Sequence, residues 1–149
     1  MRDNVSKLGT VQNALASLPV NKVNITGNSA NLAGYNAASL YINAGAWTDG
    51  THTFTVQESP DNTTWTNVAA TDLVAWSATS TTSQYPSKTG FSQPNPISSA
   101  ATALNQRIGY LGAMQYVRVI ITVTGAPATG AAYDCYWILG EPRLLPAAV

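Results

Sequence analysis

Two side chains with the reactivity that catalysis or metal binding starts from occur once each, His52 and Cys135. Acid–base chemistry needs titratable groups that converge. His52 lies in a run of strand-like alternation just after a turn, and no "GxSxG" elbow accompanies any serine. No nucleophile motif surrounds Cys135. A Ser-His-Asp set can be drawn on paper from any chain this rich in serine, so its availability carries no weight. One histidine and one cysteine also fall short of the three or four protein ligands that zinc takes. Oxygen donors are more plentiful: Asp49, Glu58, Asp61, Asn62 and Asp72 suit a hard cation such as calcium. Their spacing matches no EF-hand loop, and acidic residues at turns are accounted for by turn chemistry. The sequence predicts no catalytic residue, no metal ligand set and no cofactor.

Sugar stacking is the remaining chemistry to weigh. Trp47, Trp65, Trp76 and Trp137, with seven tyrosines, supply aromatic surface. "ESPDNTTWTNV", residues 58–68, is similar to the turn-and-tryptophan stretch of discoidin-type binding domains. A tryptophan beside such a turn usually packs onto the core, since burying so large a ring contributes more than exposing it. Trp65 and Trp137 are therefore read as structural anchors. The sequons at Asn24 and Asn62 follow from the high Asn and Thr content.

The elements that must position these residues are strands. "ASLYINAG" puts Leu40 and Ile42 on one face, with Ser39 and Tyr41 on the other. "HTFTVQ" turns Phe54 and Val56 inward, and Ser59-Pro60-Asp61-Asn62 makes the corner from which "TWTNVAA" runs back. "KVNIT" alternates on Val23 and Ile25, "RIGYLG" is a further strand, and Asp49-Gly50 suits a tight reversal. In "QYVRVIITVTG" Val117, Val119, Ile121 and Val123 share a face, while Tyr116, Arg118, Ile120 and Thr122 form a second, half-polar face that invites cover. "AAYDCYWILG" sets Tyr133, Cys135, Trp137 and Leu139 against Asp134, Tyr136 and Ile138. Seven to nine short strands without long amphipathic helices predict an all-β fold, an antiparallel β-sandwich of jelly-roll-like type.

Two stretches stand apart. In residues 1–21, Val5, Leu8, Val11, Leu15 and Leu18 recur at helical spacing, although Gly9 and Thr10 weaken a helix and Pro19 ends it. This segment reads as an N-terminal arm on a single domain spanning 22–149. Residues 76–103 form a long Ser/Thr/Pro-rich loop in which Pro86, Pro94 and Pro96 favour an extended excursion.

Composition excludes other classes. The chain has 149 residues, enough for one core, and is 45% hydrophobic but only 9% charged, against about 25% in ordinary domains. Seven basic residues balance seven acidic ones, so no field draws the chain to nucleic acid or an anionic membrane. A lone cysteine allows no intrachain disulfide. Gln12 and Asn13 interrupt what would be a signal-peptide core, and no apolar stretch approaches the roughly 18 residues of a membrane span.

The order of "NLAGYNAASLYINAGAWTDGTHTFTVQESPDNTTWTNVAATDLV", "RIGYLGAMQYVRVIITVTG" and "YWILGEPRLLP" resembles small structural proteins of tailed-bacteriophage heads. The likeness covers about residues 31–74 and 107–146. It implies a capsid decoration or cement protein on a β-sandwich, made in the host cytoplasm and carried on the virion's capsid surface. The implied partners are the major capsid protein and further copies of the chain, as a homotrimer. For those contacts the reading selects Leu8, Val11 and Leu15 in the arm, Tyr85 and Phe91 in the long loop, and Ile120. The rival readings are a carbohydrate- or receptor-binding module of a fibre or spike, and a neck or tail component.

Overall fold

The computed structural model describes residues 8–14, 22–78 and 87–142. In chain order the strands are β1 (Leu8–Asn13), β2 (Ile25–Thr26), β3 (Ala30–Asn31), β4 (Tyr35–Trp47), β5 (Thr51–Ser59), β6 (Thr66–Asn67), β7 (Leu73–Ser77), β8 (Ser87–Gly90), β9 (Gln106–Tyr110), β10 (Tyr116–Thr124) and β11 (Ala131–Pro142). They form an antiparallel β-sandwich. The larger sheet has the order β1-β11-β4-β9-β7-β8, and the smaller has β2-β10-β5-β6, with β3 also on β10. The chain crosses between sheets from β1 to β2, β3 to β4, β4 to β5, β6 to β7, β9 to β10 and β10 to β11.

The two-residue period explains the core. Leu40, Ile42, Leu73, Ile108, Cys135, Trp137 and Leu139 from the larger sheet meet Phe54, Val56, Val117, Val119 and Ile121 from the smaller one, and all are buried. Burial pushes the Cys135 thiol well above its ordinary range, so it is an unreactive core residue. β5 carries the logic to its ends. Its inward residues run His52, Phe54, Val56, Glu58, apolar in the middle and polar at both tips.

Four expectations from the sequence are corrected here. Residues 8–13 are not helical; they form the edge strand β1, paired with β11 from Asn13 opposite Tyr136 to Leu8 opposite Gly140. The outer edge of β11 offers a row of backbone groups that a strand satisfies, and this outweighs a weak helical spacing broken by Gly9. The arm's residues 8–14 thus belong to the sandwich. Ala14 is wholly buried, donates its amide to Cys135 O and accepts from the Asn28 amide. "KVNIT" contributes only two strand residues, and Val23 stays 62% exposed.

The third correction concerns the long loop. From Gly90 onward it is a wall of the sandwich rather than an excursion. Ile97 is buried and exchanges backbone hydrogen bonds with His52, and Pro94 is buried beside it. The Gln93 side chain acts as a surrogate strand on β5: its Oε1 accepts from the Val56 amide at 2.7 Å, while its Nε2 donates to the Val56 and Val68 carbonyls. Gln106 grips the Asn95 amide and carbonyl in the same way. Gln93→Ala should therefore lower stability by about 1–3 kcal/mol, because a half-buried strand amide loses its acceptor. Denaturant midpoints measure this, and a loss of a few tenths or less would contradict the clamp.

The fourth correction is Trp65, expected in the core. It is half-buried on the outer side of the smaller sheet, just before the two-residue β6, with the Arg118 guanidinium 4.1 Å from its ring centre. Trp137, by contrast, is fully buried.

Candidate binding surfaces

Cross-sheet hydrogen bonds close both ends of the core, and they use the polar residues that looked most chemical in the sequence. At one end His52 is fully buried, with Nδ1 at 3.3 Å from the Tyr133 hydroxyl and Nε2 at 3.3 Å from the Asp49 carbonyl. A carbonyl only accepts, so Nε2 carries the proton and the Tyr133 hydroxyl donates to Nδ1. At the other end Tyr110 donates its hydroxyl to Glu58 and accepts the Met114 amide. Burial, then the bond to Glu58, pushes the Tyr110 hydroxyl far above its ordinary range, so it stays protonated.

The remaining acids are held by turns. Asp49, in the β4–β5 turn, accepts the successive amides of Ala128, Thr129 and Gly130 from the β10–β11 turn. Asp61 accepts the amides of Thr63 and Thr64 and the Ser59 hydroxyl. The hairpin over 52–70 thus carries its acid as a turn fastener. Among the described residues no three His, Cys, Asp or Glu side chains gather in a group that could hold a metal ion.

These bonds lower both carboxyl pKa values, Asp49 chiefly through the Gly130 amide and Asp61 chiefly through the Thr64 amide. A carboxyl with a depressed folded pKa contributes stability that is complete above its unfolded value. That contribution is lost as pH falls from the ordinary 3.8 toward the lowered folded values. Both groups are exposed, so the effect is modest. The melting temperature should be flat from neutrality to about pH 5 and fall below about pH 4. Asp61→Asn should flatten part of that acid limb, and an unchanged limb would contradict the assignment.

The outer face of the larger sheet carries an aromatic row. Register places Tyr136 opposite Tyr41, Tyr41 opposite Arg107, and Arg107 opposite Trp76, with Asn13 and Lys88 at the same level on the edge strands. The two tyrosine rings stack at 5.4 Å and 5°, and the Arg107 guanidinium lies 4.2 Å from the Trp76 ring centre. Trp76 reaches over Gly109, where an added Cβ would come within 3.3 Å of the ring. All four side chains are half-exposed. The next rank on this face runs Ile138, Ser39, Gly109 and Val74, and its small members Ser39 and Gly109 leave room for the Trp76 ring.

A cleft of about 520 Å³ opens at the Glu58 end, between residues 32–38 and 110–115. Leu32, Tyr35 and Met114 line it, and the Tyr110 hydroxyl braces its far wall through the Met114 amide. Leu111 is 61% and Met114 40% exposed, among the most exposed large apolar side chains described.

The residues singled out for contacts are scattered. Leu8 and Val11 are in β1, opposite Gly140 and Ile138. Leu15 and Tyr85 lie outside the described residues. Phe91 is 57% exposed beyond β8. Ile120 is half-buried with Thr26 on one side and Thr55 on the other, so the second face of β10 is no continuous apolar strip. What the sequence reading missed is the aromatic row and the cleft. Tyr41, Arg107 and Tyr136 each sit at a polar phase of a strand alternation, the one signal available, whereas Trp76 shares its face of β7 with Val74 and had none.

No protein-family model matches the chain, and no curated protein and no solved structure shows significant similarity to it.

Proposed function

We propose that this chain is a virion structural protein of the capsid decoration or cement kind, binding the major capsid lattice and other copies of itself without catalysis. The observation that carries the reading is the row Tyr136, Tyr41, Arg107, Trp76 across the outer face of the larger sheet. Tyr, Trp and Arg are enriched where protein surfaces meet and dominate binding there, while Lys and Glu are depleted. On a chain with seven acids and seven bases this face has little charge to desolvate. The order of sequence motifs like those of small phage head proteins gives the class of partner. Self-association as a trimer belongs to the same reading, and its support moves from Ile120 to the aromatic face.

Glycan binding is the rival. It needs open ring faces, and the tryptophans have other commitments. Trp137 is in the core, Trp47 donates its indole N–H to Gly50 O, and Trp65 and Trp76 each have a face under an arginine. A sugar stacking on that face of either ring would have to displace a guanidinium.

The experiment is co-sedimentation with heads assembled without this chain by the phage that encodes it, beside a glycan array. The reading expects saturable binding to heads that Tyr41→Ser with Tyr136→Ser weakens at least tenfold, with no glycan retained. A protein that ignores heads and captures a sugar would overturn it.

A further inference from the structure

The outer face of the smaller sheet carries one cation in an otherwise uncharged surface. The outward residues of β5 and β10 are threonines, Gln57, Tyr116, Ile120 and Arg118. Arg118 is half-buried and held from two sides. Its guanidinium lies 4.1 Å from the Trp65 ring centre, and Nε and Nη2 donate to Gln57 Oε1 at 3.0 and 2.8 Å. Gln57 Nε2 in turn donates to Asn67 Oδ1 at 2.9 Å, which keeps Oε1 turned toward the arginine. The rank Arg118, Gln57, Asn67 thus crosses three strands.

A guanidinium has five N–H donors in a fixed plane. The two bonds to Gln57 use the Nε edge and leave the end-on fork of Nη1 and Nη2. That fork matches a carboxylate through two parallel hydrogen bonds. No acid among the described residues forms an ion pair with Arg118. Glu58 faces inward to Tyr110, and turn amides hold Asp49 and Asp61. Desolvation lowers the Arg118 pKa from its ordinary value with no carboxylate acting the other way. The side chain is therefore a fixed, partly desolvated cation whose burial no ion pair of the described chain offsets.

We propose that Arg118, braced by Trp65 and Gln57, is a binding site for one carboxylate, supplied by an aspartate or glutamate side chain of a protein partner. Pre-orientation by the ring and the amide means that little side-chain freedom is lost on binding. A nucleic acid or an anionic membrane is held by several cations together, and this face offers one. Arginine and tryptophan side by side are the residue types that dominate protein contacts. The surrounding threonine hydroxyls donate and accept, so polar groups flanking the partner's acid find partners. The site lies on the face of the sandwich opposite the aromatic row. It is a separate contact and does not depend on the reading of that row.

The test is a titration of the full chain with the peptide acetyl-Gly-Glu-Gly-amide, followed by nuclear magnetic resonance at matched ionic strength. It runs to about 100 mM, because a single charge-assisted pair binds weakly. The Arg118 Nε–H and Trp65 indole resonances should shift and approach saturation. The glutamine counterpart of the peptide should shift them at least about fivefold less, since it lacks the charge. Arg118→Lys keeps the charge but not the fork, and should weaken the indole response at least about threefold. Arg118→Gln should abolish it. If Arg118→Gln impairs folding, the lysine variant and the glutamine peptide carry the comparison. No shift with the glutamate peptide, an equal shift with its glutamine counterpart, or an undiminished response in Arg118→Lys would overturn the proposal. So would a stronger response to glucuronate or inorganic phosphate at the same concentration, because the ligand would then be an acidic sugar or a phosphate group.

Discussion

Trp137→Ala should lower stability by about 3–5 kcal/mol, a large part of the roughly 5–15 kcal/mol of a typical domain. The ring is wholly enclosed at the centre of β11, between the buried Cys135 and Leu139. Its removal leaves a cavity that two braced sheets cannot close. The indole N–H is the buried side-chain polar atom without a hydrogen-bond partner among the described residues, so Trp137→Phe loses no bond and should cost distinctly less. Trp65→Ala should cost only about 1 kcal/mol, since its ring is half-exposed under Arg118. Thermal melts of the three variants read this ordering. A Trp65→Ala loss as large as that of Trp137→Ala would mean the two rings have been given each other's roles.

Gly27→Ala should cost at least about 1–3 kcal/mol, the range of core overpacking. A Cβ there would sit 2.5 Å from Ala14 O and 2.6 Å from Val119 O, both backbone atoms that cannot swing away. Gly27 also donates its amide to Val119 O, and its neighbour Asn28 donates to Ala14 O. The substitution therefore pries apart the place where the end of β1, the chain before β3 and the middle of β10 converge. Hydrogen exchange should show amides around Ala14 and Asn28 losing protection first. Gly140→Ala is the control, because among the described side chains its Cβ would meet only Ala37 Cβ, at an ordinary 3.8 Å. Equal tolerance of both changes would contradict the close approach.

The fold was legible in the sequence where a period of two coincides with β-branched or aromatic residues. Phe54 and Val56, Val117 to Ile121 and Tyr133 to Leu139 all face the core as their alternation requires. Residues 8–13 misled because their pairing depends on β11, more than a hundred positions away, while their local spacing favours a helix. Trp65 misled for a similar reason: a tryptophan next to a turn does not declare which side of the hairpin is covered. Arg118 meets it only through the register of β10 on β5.

The candidate surfaces were less legible still. His52 and Tyr133 are 81 residues apart, and Glu58 and Tyr110 are 52 apart, so the staples at the core's ends exist only in the folded chain. The aromatic row takes one residue from each of β11, β4, β9 and β7, and no single strand carries its pattern. Gln93 and Gln106 each replace a strand partner with the side-chain amide, a role that no local spacing announces. Chemistry-bearing residue types were easy to find. Their use as fasteners depended on contacts that sequence spacing does not encode.

The central claim is that the outer face of the larger sheet is an assembly surface for a capsid lattice. A cryo-electron-microscopy map of heads saturated with the protein tests it most directly. The account predicts copies of the sandwich on the lattice with Tyr41, Arg107, Trp76 and Tyr136 buried against the capsid protein or a neighbouring copy. Bare heads, or bound copies whose aromatic row faces solvent, would contradict it.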